Sequence, residues 1–85
     1  MATYNVYSDP GHGWGRVHRS KLIKLGILDK ITSYSFQRGE WVYLEEDYDL
    51  TNFVLACRAA GEEPKFREFN ANRESKIRNY EYFKP

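Results

Sequence analysis

The residue types with the richest chemistry crowd into one short stretch near the N-terminus. Gly11, Gly13 and Gly15 alternate there with His12, Trp14 and Arg16. In extended backbone, period-two geometry puts the glycines on one face and the three large side chains on the other. A bare glycine face lets another backbone approach closely. Alternatively the stretch is a loop that presents His12, Trp14 and Arg16 to a partner, since Trp and Arg are enriched at interface hot spots. It is not a dinucleotide fingerprint, because G-x-G-x-x-G needs its third glycine one residue later and a helix behind it. No Gly-Lys-Ser/Thr phosphate loop occurs either.

The second concentration is acidic: Glu45, Glu46 and Asp47, with Asp49 close behind. Carboxylates at this density would suit a hard cation, which takes oxygen ligands. The spacing does not meet the D-x-[DN]-x-[DN]-G rule of an EF-hand. A simpler reading makes Asp49 the N-cap of a following helix and lets Asp47 complement its dipole. No metal site and no cofactor is therefore expected. His12 and His18 are the only histidines, and no serine or cysteine sits in a nucleophile motif. The one thiol, Cys57, lies on an apolar helix stripe, where a thiol is inert. Without a nucleophile, base and orienting group in view, no enzymatic role is expected.

Basic residues raise a third possibility. Arg16, Arg19, Lys21 and Lys24 surround a short helical segment, and Arg73, Lys76 and Arg78 precede Tyr80 and Tyr82. Cations interleaved with aromatics suit a groove that follows a phosphate backbone and stacks bases. Against this, 13 basic and 12 acidic side chains leave a formal net charge of only +1. That gives little long-range attraction for a polyanion.

These side chains must be held by a small number of elements. Thr3 to Ser8 reads as a strand, Asp9-Pro10-Gly11 as a turn, and the glycine-interleaved segment through Val17 and His18 as a second strand. Ser20 and Gly26 bracket a helix of about two turns as N-cap and C′ residue. Ile31 to Phe36 and Trp41 to Glu45 flank Gln37-Arg38-Gly39-Glu40 as a hairpin. Leu50, Phe53, Val54 and Cys57 recur at helical spacing, which predicts a helix from Leu50 to Ala60 capped by Asp49 and stopped by Gly61. Lys65 to Phe69 is a further strand, and Lys76 to Phe83 a last strand or ordered tail. The implied fold is a single α+β domain over residues 1–85, with an antiparallel sheet of four to five strands and two helices packed on one face.

The chain has 85 residues, a length that buries only roughly 60% of its unfolded surface. Its seven Tyr, five Phe and two Trp supply the compensating apolar area, about 150–250 Å² per ring. A single cysteine excludes an internal disulfide. No apolar run approaches the roughly 18 residues of a membrane span, and no signal pattern opens the chain, so a cytoplasmic location is expected.

Three stretches carry a resemblance. Asp9-Pro10-Gly11-His12-Gly13-Trp14, Val42-Tyr43-Leu44-Glu45-Glu46-Asp47, and Arg73 with Ile77-Arg78-x-Tyr80 resemble a group of small uncharacterised bacteriophage and bacterial proteins. The resemblance implies a phage or mobile-element accessory protein acting in the host cytoplasm, and it carries no catalytic residue across. Joined to the absence of catalytic motifs, it points to a binding module for a host protein. The expected contact surface is His12, Trp14 and Arg16, with Trp14 as the apolar anchor and Arg16 as the orienting charge, and with Glu45, Glu46 and Asp47 as a second patch. The alternative is nucleic-acid binding through Arg16, Arg19, Lys21, Lys24, Arg73, Lys76 and Arg78.

Overall fold

Gly13-Trp14-Gly15 lies inside a central strand, and its alternation sets the layering of the protein. A computed structural model describes residues 2–85. The chain runs β1 (Thr3–Ser8), β2 (Gly13–His18), α1 (Arg19–Lys24), β3 (Phe36–Arg38), β4 (Trp41–Glu45), α2 (Asp49–Ala59), β5 (Lys65–Asn70) and β6 (Glu81–Tyr82). Two 3₁₀ turns, Leu28–Lys30 and Lys76–Asn79, interrupt the connections. The strands form one sheet in the order β5-β1-β2-β4-β3-β6.

The sheet has six strands and is mixed, which corrects the expected four to five antiparallel ones: β5 pairs with β1 in parallel. The reason is the helix between β4 and β5. Strand β4 is antiparallel to β2, and β2 to β1, so β4 and β1 run the same way. Helix α2 returns the chain to the end where β4 began, and the next strand must repeat that direction.

One sheet face is covered by both helices. Val17, Val42 and Leu44 point into a core shared with Leu22 of α1 and with Phe53 and Cys57 of α2. Gly15 sits opposite Leu44 on this face. A Cβ built on Gly15 would lie 2.5 Å from Cδ1 of Leu50, so the missing side chain is the space that lets α2 settle onto the sheet. The other face buries Trp14 and Tyr43 under Ile77 of the second 3₁₀ turn, with Tyr7, Phe36 and Tyr80 packed around them.

Helix ends follow local chemistry, with two corrections. Gly26 and Gly61 take φ of 72° and 81° after the helices. Each follows with a paired bond of the Schellman type: Ile27 N–H donates to Leu22 O and Glu62 N–H to Cys57 O. At the start of α1, however, the cap is His18, whose ring accepts from Ser20 N–H, and not Ser20 itself. At α2, Tyr48 occupies the N-cap position without a side-chain bond, while Asp49 is the first helical residue and turns inward. Asp49 accepts from Thr32 N–H, from the Thr32 hydroxyl at 2.7 Å and from the Ser35 hydroxyl at 2.5 Å. These bonds curl residues 32–35 into a turn, so the expected strand from Ile31 is shortened to Phe36–Arg38. The C-terminal stretch divides into the 3₁₀ turn and the two-residue β6, which pairs with β3. Among the described residues, no helix is long and apolar enough to cross a membrane.

Candidate functional site

The site begins at a buried carboxylate. In the turn between β1 and β2, Asp9 Oδ1 accepts from Gly11 N–H at 3.0 Å and His12 N–H at 2.9 Å, an Asx-type closure that suits Asp before Pro-Gly. The same carboxylate reaches across the chain to Ser75 N–H at 2.8 Å. It also receives a two-pronged bond from Arg78, Nε at 2.7 Å and Nη2 at 2.9 Å. The Arg78 fork, then the Ser75 amide, hold the Asp9 carboxyl well below the usual carboxylate range. Its side chain is only 1% exposed. This pair therefore fixes where the residue 75–79 segment crosses the sheet, and it lays the Arg78 guanidinium 5.3 Å from the Trp14 ring centre.

Trp14 then becomes the floor of a cleft of about 470 Å³. Phe36 meets it edge-on at 6.2 Å and is itself stacked on Tyr82 at 5.3 Å. Tyr82, Tyr34 and Tyr48 stand around the opening, 64%, 73% and 56% exposed. Tyrosines this open are in excess of what packing requires, and clustered exposed aromatics mark interaction surfaces.

The polar side of the cleft holds His12, Glu45 and Asp47, together with Arg78, whose charge is matched by Asp9. Glu45 is opposite Trp14 in the β2–β4 ladder, so its carboxylate emerges beside the indole. It closes the following turn, accepting from Asp47 N–H at 2.7 Å and Tyr48 N–H at 3.0 Å. That turn swings Asp47 towards His12, whose ring centre lies 6.1 Å from Trp14. One donor atom from each of His12, Glu45 and Asp47 lies within 4.8 Å of the other two. The trio can accept a cation, either a metal ion or an organic ammonium or guanidinium.

Of the expected protein-contact residues, His12, Trp14, Glu45 and Asp47 converge here and two do not. Glu46 turns to the other sheet face, where its carboxylate lies over Gly13. Arg16 is one register step from Trp14, with its guanidinium 4.4 Å from the Trp41 ring centre. Trp14 is 2% exposed, so it is a packed floor rather than a surface anchor. From Gly13 the glycine-interleaved segment is thus a packed strand, with Gly11 and His12 left in the turn.

The expected nucleic-acid set also divides. Arg78 is taken up by Asp9, Lys21 bonds Glu62 at 2.8 Å, and Arg19 bonds the Lys84 carbonyl at 3.0 Å. Lys24 and Arg73 are exposed, and Arg16 and Lys76 share a separate pocket. His18 is occupied by its capping bond and an edge-on contact with Trp41. Cys57 is buried in the helix layer, and burial pushes its thiol pKa up.

Sequence reasoning did not bring Tyr34, Tyr48 and Tyr82 together, and it placed Tyr82 only beside the basic residues of the nucleic-acid alternative. They come from three separate segments and share no periodicity. The one signal for them is the surplus of aromatic residues over what a chain this short needs for a core. No protein-family model, curated protein or solved structure matches the chain.

Proposed function

We propose that this chain is a non-enzymatic binding module that recognises another protein by seating one of its lysine or arginine side chains in the aromatic cleft. The observation that carries the reading is the pairing of three open tyrosines with a rim of two carboxylates, Glu45 and Asp47, over a tryptophan floor. Ring faces attract a cation by their quadrupole, by roughly 0.5–2 kcal/mol each according to desolvation. Carboxylates add charge and hydrogen bonds.

An organic cation fits better than a metal ion. The aromatic walls contribute nothing to hard-ion coordination, whereas they attract an organic cation by their ring faces. In the setting implied by the resemblance, a phage or mobile-element protein in a host cytoplasm, the partner is a host protein with a protruding basic residue.

The test is calorimetric titration with short peptides that differ at one position: lysine, trimethyllysine, arginine or norleucine. The cationic peptides should bind, norleucine should lose about tenfold or more, and EDTA should change nothing. Tyr34→Ala and Asp47→Asn should each weaken binding while leaving unfolding within about 0.5 kcal/mol, as surface changes do. Equal binding of norleucine and lysine peptides would dismiss the reading, and so would binding that EDTA abolishes.

A further inference from the structure

The acid-rimmed cleft takes up one end of the helix-free sheet face, and the remainder of that face carries the opposite charge. Strand register sets Arg67, Asn5, Arg16 and Tyr43 side by side across β5, β1, β2 and β4. In the neighbouring row Phe69 stacks on Tyr7, ring centres 5.4 Å apart. Arg38 reaches in from β3, and the Lys76–Asn79 turn brings Lys76 over the same area. Arg16, Arg38 and Lys76 line a pocket of about 300 Å³ together with Tyr7, Tyr43 and Tyr80, and among the described residues no carboxylate lines it.

Three cations on the protein are held in ion pairs: Lys21 with Glu62, Arg58 with Glu63 and Arg78 with Asp9. Among the described residues, Arg16, Arg38 and Lys76 form no such pair. The two arginines face rings instead. Arg16 lies 4.4 Å from the Trp41 centre and 6.0 Å from that of Tyr7, and Arg38 lies 5.4 Å from that of Tyr80. Three like charges around a small concavity repel one another, and a bound anion relieves that repulsion. The adjoining rings offer flat apolar surface of the kind on which bases stack.

The geometry also selects the form of the anion. Both helices pack on the opposite face, so no helix projects here to enter a duplex groove. A pocket of this size takes one base, and only a base free of its stack. We propose that this face binds single-stranded nucleic acid, with one base against Tyr80 and Tyr7, a phosphate at Arg16, Arg38 and Lys76, and the strand continuing towards Arg67. The proposal is independent of the cation-binding cleft.

Fluorescence anisotropy with labelled oligothymidine and oligouridine of about 12 nucleotides tests it. Binding should weaken linearly on a log–log plot against salt, with a slope of about −0.7 per phosphate contacted. Arg38→Gln and Lys76→Gln, both at exposed positions, should weaken binding and make the slope shallower. Tyr80→Leu should weaken it on the order of tenfold with the slope unchanged, since stacking releases no counterions. Tyr34→Ala and Asp47→Asn should leave it intact. Four results would overturn the proposal: no binding at low salt, equal affinity for duplex, equal affinity for a mononucleotide or inorganic phosphate, or indifference to Arg38→Gln and Lys76→Gln.

Discussion

Replacing Asp49 by alanine should both destabilise the protein and slacken one wall of the cleft. Asp49 is fully buried, and its carboxylate holds Thr32 N–H, the Thr32 hydroxyl and the Ser35 hydroxyl. The Ser35 hydroxyl in turn accepts from Glu45 N–H at 2.9 Å. A single side chain thus ties the turn bearing Ser33 and Tyr34 to the strand end bearing Glu45. Each bond to a charged group is worth about 1.5–3 kcal/mol net. Removing the carboxylate strands buried donors, but it also ends the desolvation of a charge. Three stranded donors at about 1–3 kcal/mol each, less the relieved desolvation, give an expected net loss of about 3–5 kcal/mol. A domain of this length holds only about 4–13 kcal/mol in total, so the variant should be marginal at room temperature.

Urea unfolding followed by tryptophan fluorescence measures this. With m of about 1–3 kcal/mol/M, the midpoint should fall by at least ~1 M. Ser35→Ala should cost less, about 1–2 kcal/mol. The double variant should fall short of the sum, because both members belong to one network. Under conditions where Asp49→Ala is still folded, binding of the lysine peptide should weaken. A loss under about 1 kcal/mol, or strict additivity with Ser35→Ala, would falsify the claim that this carboxylate anchors the wall.

Two further outcomes follow from the burial and charge pattern. The Asp9 carboxyl is held below its ordinary value by Arg78. The stability it contributes is fully present above about pH 3.9, the unfolded value, and is lost as the pH falls below that towards the lower folded value. Asp9→Asn should therefore lower stability at neutral pH and flatten the acid limb of the stability curve, whereas an unchanged limb would mean that the pair is not formed. Cys57 is 1% exposed and burial raises its thiol pKa. Ellman's reagent should label it only as fast as the protein opens, and at once in urea; prompt labelling in native buffer would contradict its place in the core.

Local chemistry was legible before the tertiary structure wherever it depends on neighbours in the chain. Leu50, Phe53 and Cys57 mark the buried stripe of α2 because side chains three and four apart share a helix face. Asp9-Pro10-Gly11 makes a turn because the Asp carboxylate closes on amides two and three residues on. The alternation of Trp41, Tyr43 and Glu45 against Val42 and Leu44 already separates the two sheet faces. Gly15 was readable as a point of close approach, although the group that arrives is the Leu50 side chain.

What the tertiary structure decided is which distant residues meet. Asp49 has the identity of an N-cap, but a stronger set of donors in Thr32 and Ser35 draws it inward and cuts short a predicted strand. Arg78 looked like a phosphate ligand until Asp9, 69 positions away, captured it. Tyr34, Tyr48 and Tyr82 share no spacing, so nothing in the order of residues marks them as one cleft. Residue types and periodicity settled the elements, the two faces and the turns, because those depend on short-range backbone geometry. The partners of buried charges and the walls of the cleft depend on which donors fall within about 3 Å after folding, and only the packed sheet determines that.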